Sequence, residues 1–131
     1  ANLKGPVLYA LAAAPLMRRT GGKIINITDW AGERPYVDYL PYCVSKAGLI
    51  GLTKALAKEL APTIAAISIA PGPILPPPGM SAKERQRAVA RVPLGRWGAP
   101  EDIASAVVFA VEGSDFITGT TIFMDGGRSI G

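Results

Sequence analysis

Tyr42 and Lys46 stand four residues apart in the segment Tyr42-Cys43-Val44-Ser45-Lys46. On a helix the two side chains share one face, with Cβ atoms about 6 Å apart. An ammonium at that range favours the phenolate and lowers a tyrosine pKa from its usual value of about 10. A phenol tuned in this way can pass a proton to a carbonyl oxygen or an imine nitrogen near neutral pH. Taken alone, the pair also describes an exposed i,i+4 contact on any helix, so its meaning rests on the residues around it. Asp29 precedes Tyr42 by 13 positions, at the end of Asn26-Ile27-Thr28-Asp29. An ionised carboxylate accepts hydrogen bonds but cannot donate one to a carbonyl oxygen. It also opposes negative charge developing there. Asp29 therefore suits a substrate with N–H donors, or one that takes a proton at a ring nitrogen. The alternative is a capping or loop aspartate. Trp30, Tyr36 and Tyr39 follow it and could stack on a flat ring or simply pack the loop. Cys43 is expected to be a packed thiol rather than a reactive one.

The elements that would position these residues alternate helix and strand, the pattern of a parallel sheet with helical crossovers. A helix is expected from Val7 to Arg19, ended by Gly21-Gly22, and a short buried strand from Lys23 to Thr28. A loop then runs from Asp29 to Pro41. Tyr42 to Leu60 reads as a long helix, and Ile64 to Ala70 as a second apolar strand. Pro71 to Gly79 holds five prolines and two glycines and reads as a loop of restricted dihedrals. Ser81-Ala82-Lys83-Glu84 is a capping-box pattern opening a charged helix to about Arg91. Pro100-Glu101-Asp102 opens another, to about Val111. Thr120 to Met124 is a third strand, turned by Asp125-Gly126-Gly127.

The 131 residues fit one domain, and a 49% hydrophobic content can supply a core. No apolar run approaches the ~18 residues of a membrane span. One cysteine and no histidine exclude a disulfide framework and the usual zinc sites, so no metal is expected and a cytoplasmic, reducing setting is. The net charge of +4 is spread over helix faces without interleaved aromatics, which argues against nucleic acid. No glycine-rich turn between strand and helix offers a pyrophosphate site. The expectation is therefore the second part of a longer chain, residues 1–131 forming the catalytic half and the dinucleotide-binding half lying elsewhere.

Asn26-Ile27-Thr28-Asp29, the step to Tyr42 and Lys46, and Ala70-Pro71-Gly72-Pro73-Ile74 after the next strand together resemble the short-chain dehydrogenase/reductase family. Arg96-Trp97-Gly98-Ala99-Pro100-Glu101-Asp102 and Asn2-Leu3-Lys4-Gly5 extend the resemblance over essentially the whole chain. It implies an α/β fold, the C-terminal half of a Rossmann-type doubly wound parallel sheet with helices on both faces. By resemblance, Tyr42 is the general acid, Lys46 binds the nicotinamide ribose, and Asn2 holds a water for proton relay. Pro71 and Gly72 would border the nicotinamide, with the backbone of Ile74 near its carboxamide. NADPH is the implied cofactor, with the choice against NADH made by residues outside these. Most of the family has serine where Asp29 stands, and an aspartate there is similar to the pteridine reductases. The implied function is reduction of a pterin or dihydropterin ring through Tyr42 and Asp29. A carbonyl reductase of ketones or acyl thioesters is the alternative, and a non-catalytic scaffold chain a third. A homo-oligomer, a tetramer or dimer through the 42–60 and 100–112 helices, is expected with a small-molecule substrate.

Overall fold

In the computed structural model, which describes residues 3–131, Ile64–Pro71 forms the middle strand of three. Its side chains alternate between two apolar layers, as a strand covered on both faces must. Ile64 and Ala66 point into a layer with Ala10, Ala14, Leu56, Ala57 and Leu60, and Ile67 and Ile69 into one with Ala106 and Ala110. The elements in order are α1 (Lys4–Met17), β1 (Gly22–Ile27), a 3-10 turn (Trp30–Gly32), α2 (Leu40–Glu59), β2 (Ile64–Pro71), α3 (Ala82–Val89), α4 (Pro100–Glu112) and β3 (Thr121–Met124). The sheet is parallel throughout in the order β1-β2-β3, with Ile27 opposite Ile69 and Pro71 opposite Met124. Helices α1 and α2 cover one face and α4 the other, which is the α/β fold with helices on both faces. Both connections step across the sheet in the same direction from opposite faces. They therefore have opposite hands, and one departs from the usual right-handed crossover.

Two helix starts lie earlier than the sequence suggests, and proline explains both. Pro6 falls in the first turn of α1 and Pro41 in the first turn of α2. The amide that proline lacks has no partner at those positions anyway. Tyr42 is thereby placed in the first turn of α2 and Lys46 one turn further in. Helix α1 ends at Met17, before Arg18-Arg19, and the chain turns through Gly21 at φ 75°.

A row of polar side chains lies on the α2 side of the sheet. Asn26 donates to Thr53 at 3.0 Å, and Thr53 donates to the carbonyl of Leu49 at 2.9 Å. Thr28 and Ser68, both buried, share a 2.7 Å hydrogen bond. Burying such groups is tolerable only when they are paired. These bonds fix the rotation and height of α2 against β1 and β2, and with them the position of Tyr42. On the other face Lys23 donates to the carbonyls of Ala110 and Gly113 and closes the C-terminus of α4. No helix of the described residues is long and apolar enough to cross a membrane.

Candidate active site

The strands end together at one edge of the sheet, and the sequence-predicted residues gather there. Thr28 extends the β1–β2 pairing by donating its amide to the carbonyl of Ile69 at 2.8 Å. Asp29 leaves β1 at the level where Pro71 and Gly72 leave β2. Open parallel sheets bind ligands at this carboxyl edge. Asp29 then caps the 3-10 turn, its Oδ1 accepting the amide of Ala31 at 2.8 Å. Gly32 lets that turn lie on α2, since a Cβ there would meet the carbonyl oxygen of Lys46 at 2.9 Å.

Tyr42 Oη donates to the other carboxylate oxygen of Asp29 at 2.8 Å. Lys46 Nζ lies 5.6 Å from the centroid of the Tyr42 ring, over its face, a cation–π placement. All three residues are half-buried. The expectation that Lys46 lowers the Tyr42 pKa is overturned by this geometry. Burial pushes the phenol well above its usual value of 10.0, and the hydrogen bond to Asp29 and the Asp29 charge push it further. The ammonium faces the ring, whereas the carboxylate meets the hydroxyl itself. Tyr36 is raised as well, by burial first and by Asp29 second. Tyr42 is thus a phenol that keeps its proton and holds it against a carboxylate.

Asp29 therefore has both of the parts left open by the sequence, a cap for the turn and a partner for Tyr42. The aromatics after it stack on one another, Trp30 on Tyr36 at 5.6 Å and Tyr36 edge-on to Tyr39 at 5.0 Å. Arg128 lies 4.8 Å over the Trp30 ring, and Arg34 donates to the carbonyls of Ser129 and Gly131. This loop is consequently tied across the sheet to the segment after β3. Asp125 organises that segment by accepting from the amides of Gly127 at 3.0 Å and Ser129 at 2.9 Å. Burial pushes the Asp125 carboxyl up, yet the bonds from Ser129 and Gly127 outweigh it and hold the group below its usual range. Sequence reasoning passed over Arg34, Arg128 and Asp125 as members of this arrangement. The Asp125-Gly126-Gly127 turn was its only local signal. Cys43 is buried, with its Sγ 3.9 Å from the carbonyl oxygen of Tyr36.

Gly72 has a structural reason to be glycine. A Cβ there would lie 2.5 Å from the Cβ of Asp125, and its amide donates to the carbonyl of Met124 at 3.0 Å. Ile74 turns its side chain into a cleft of about 200 Å3 shared with Pro73, Leu94, Arg96 and Phe123. Asp29, Tyr42 and Lys46 do not line this cleft. Asn2 lies outside the described residues. Among the described residues no group of histidine, cysteine or acidic side chains could hold a metal ion.

A family profile described as enoyl-(acyl carrier protein) reductase matches residues 1–129. The 3-oxoacyl-[acyl-carrier-protein] reductase FabG of Rickettsia felis is 40% identical over 131 residues, which cover 96% of this chain and 54% of that protein. The (3R)-3-hydroxyacyl-CoA dehydrogenase of Rattus norvegicus is 41% identical over 132 residues, covering 96% of this chain and 51% of that one. The solved structure of an apo SCOR enzyme from Clostridium thermocellum superposes with a TM-score of 0.87 at 35% identity, over 99% of this chain and 51% of its own. The chain thus spans about half the length of the curated relatives it matches.

Proposed function

Because the chain belongs to the short-chain dehydrogenase/reductase family, we propose that it supplies the proton-transfer part of a nicotinamide-dependent reductase of 3-oxoacyl thioesters. The observation that carries this reading is the protonated Tyr42 phenol, held at the carboxyl edge of a parallel sheet with Lys46 on the same helix face. Relatives of about 40% identity named for oxoacyl and hydroxyacyl substrates support the choice of a carbonyl over a ring nitrogen.

The residues here fit one end of a dinucleotide. Lys46 would hold the nicotinamide ribose, and Pro71, Gly72 and Ile74 would border the ring. No strand among those described runs into a helix through a glycine-rich turn, so the pyrophosphate has no cradle of this kind here. When bound, NADPH or NADH supplies the hydride. Tyr42 then donates its proton to the oxygen that becomes the alcohol, and Lys46 offsets the negative charge left on the phenolate. Until then Asp29 accepts the phenolic O–H and competes for it with the substrate oxygen. Asn2 is assigned to the relay that returns a proton to Tyr42.

The same reading makes 1–131 the catalytic half of a Rossmann-type domain in a cytoplasmic enzyme. An apolar groove between α1 and β1, lined by Tyr9, Ala13, Ile25 and Ile27, supports a partner half seated along the free edge of β1. Val108, Phe109 and Val111, each more than half exposed on α4, support a homo-oligomer, as does the open space facing Gly51 on α2.

A second reading, reduction of a pterin or dihydropterin ring, is favoured by Asp29 alone. A carboxylate bonded to the catalytic phenol is a good acceptor for the N–H edge of an aminopyrimidine and a poor neighbour for a carbonyl oxygen. The experiment is to follow NADPH and NADH oxidation with 3-oxobutyryl and longer 3-oxoacyl thioesters, simple ketones, dihydrobiopterin and dihydrofolate. Thioester turnover without pterin turnover is expected. Pterin turnover alone would overturn the thioester assignment, and no turnover with cofactor bound would make the chain a scaffold.

A further inference from the structure

Asp29 leaves the reacting oxygen of a carbonyl substrate short of a hydrogen-bond donor. An oxygen that gains negative charge during reduction is held best by several donors aimed at it. Tyr42 supplies one, with the proton it transfers. Asp29 supplies none, because an ionised carboxylate only accepts. Lys46 is turned to the face of the Tyr42 ring. A second donor therefore has to come from outside the Tyr42–Lys46 motif.

Tyr36 touches the sequence neighbours of both Asp29 and Tyr42. Its ring packs on Trp30, the residue after Asp29, with centroids 5.6 Å apart. Its carbonyl oxygen lies 3.9 Å from Sγ of Cys43, the buried residue after Tyr42. Tyr36 is thus held between the turn that Asp29 caps and the first turn of α2. Tyr39 meets the same ring edge-on at 5.0 Å. Between these two tyrosines the chain turns at Asp38, whose φ of 72° is a conformation few side chains adopt. Such strain persists where the surrounding structure fixes it, and here the stacked rings do so.

The hydroxyl of Tyr36 is available. The Tyr42 phenol bonds to Asp29, whereas the Tyr36 phenol bonds to no other described residue. Packed as the ring is, 37% of the residue remains exposed. Burial first, and the Asp29 charge second, raise this phenol above its usual 10.0, so it keeps its proton through the neutral range.

We propose that Tyr36 is a second catalytic phenol, whose hydroxyl donates a hydrogen bond to the substrate oxygen while Tyr42 transfers its proton there. The proposal rests on the thioester reading above and adds a residue to it. As the carbonyl carbon receives hydride, the C–O double bond opens and the oxygen takes the Tyr42 proton. Tyr36 keeps its own proton and stabilises the charge that develops in between.

The test is Tyr36→Phe, which keeps the ring stack and removes only the hydroxyl. Tyr39→Phe is the control, the same change one ring further along the stack. Both kcat and KM are measured on a 3-oxobutyryl thioester, with whichever nicotinamide cofactor supports turnover, and the thermal unfolding midpoint is recorded for each variant. Tyr36→Phe should lower kcat about tenfold to a hundredfold, at or below the usual contribution of one oxyanion donor because the site is partly open to water. KM and the unfolding midpoint should hold, and Tyr39→Phe should match the parent protein in all three. In an Asp29→Ser background the serine hydroxyl is itself a donor, so the loss on adding Tyr36→Phe should shrink to about threefold. Thioester turnover that ignores Tyr36→Phe would overturn the proposal alone, as would an equal loss in both backgrounds. Equal losses in Tyr36→Phe and Tyr39→Phe, with lowered unfolding midpoints, would make the stack structural and also overturn it. Turnover of dihydrobiopterin and none of the thioester would remove the thioester reading, and the proposal with it.

Discussion

Replacing Asp29 by serine separates the two contacts its carboxylate makes. Oδ1 accepts the Ala31 amide and Oδ2 accepts the Tyr42 phenol, each at 2.8 Å. Serine can keep the first, because a hydroxyl oxygen caps a turn about as well as a carboxylate does. Its shorter, uncharged side chain gives up the second. A hydrogen bond to a charged group contributes about 1.5–3 kcal/mol and a neutral one about 0.5–1.5 kcal/mol. Both residues are half-buried, so solvent screening favours the low end, and the difference is roughly 1 kcal/mol. That preference keeps the phenolic O–H directed at Asp29 rather than at a substrate oxygen. With tenfold in rate corresponding to about 1.4 kcal/mol, Asp29→Ser should raise kcat on a 3-oxoacyl thioester about fivefold.

The same substitution should move the titration of Tyr42. Burial, the Asp29 hydrogen bond and the Asp29 charge all raise the phenol, and serine removes the last two while leaving burial. Tyr42 should fall towards its usual value of 10.0 without reaching it. Tyrosinate absorbance, read as the difference between each protein and its Tyr42→Phe counterpart, isolates this group from the other three tyrosines. Because reduction uses the protonated phenol, the alkaline loss of activity should begin at lower pH in the serine variant. An unchanged Tyr42 titration together with an unchanged kcat would refute the idea that the carboxylate restrains the phenol. A fall in thioester turnover would show that Asp29 assists the step, and loss of dihydropterin turnover alone would favour the second reading.

Tyr42→Phe should lower turnover by about a hundredfold to ten-thousandfold, the usual share of a general acid, and leave the thermal unfolding midpoint nearly unchanged. Gly72→Ala drives a methyl group to 2.5 Å from the Cβ of Asp125. Urea unfolding should show a loss of about 1–3 kcal/mol, as in other overpacked sites. Arg34→Ala frees the loop from Ser129 and Gly131, and amide exchange over residues 30–39 should quicken while that of β2 does not. Asp125 has a folded pKa below its usual 3.8, so the unfolded chain binds its proton first on acidification and stability falls as the pH drops below about 4. Asp125→Asn should flatten that part of the stability–pH curve in denaturant titrations.

The fold was legible wherever local pattern and burial agree. Ile64–Pro71 reads as a strand covered on both sides because isoleucine and alanine fill both of its faces, and β2 is the central strand. Ser81 to Glu84 names its own helix start, and the capping box forms. Errors fall at ends where proline misleads, since Pro6 and Pro41 open helices rather than bound them. The side of the sheet taken by α4 was not legible. Val107, Val108, Phe109 and Val111 make that helix apolar on more than one side, so the residues alone do not choose the buried stripe.

Within the site, spacing identified which residues meet and not what they do to one another. Four residues of helix bring Lys46 to Tyr42, but an i,i+4 pair leaves open whether the ammonium reaches the hydroxyl or the ring, and it takes the ring. The decisive contact spans the 13 residues from Asp29 to Tyr42, across a strand end, a 3-10 turn and a helix start. Its length depends on Gly32 admitting the backbone of α2, on Asn26 and Thr53 fixing the height of that helix, and on Arg34 tying the loop to the far strand. Control of the proton accordingly passes from the lysine, where the motif puts it, to the aspartate, where the tertiary structure does. A phenol bonded to a carboxylate gives up its proton only when a substrate offers a better acceptor or a donor of its own to Asp29. Position 29 is therefore where a substitution should shift the preference between a carbonyl and a nitrogen heterocycle.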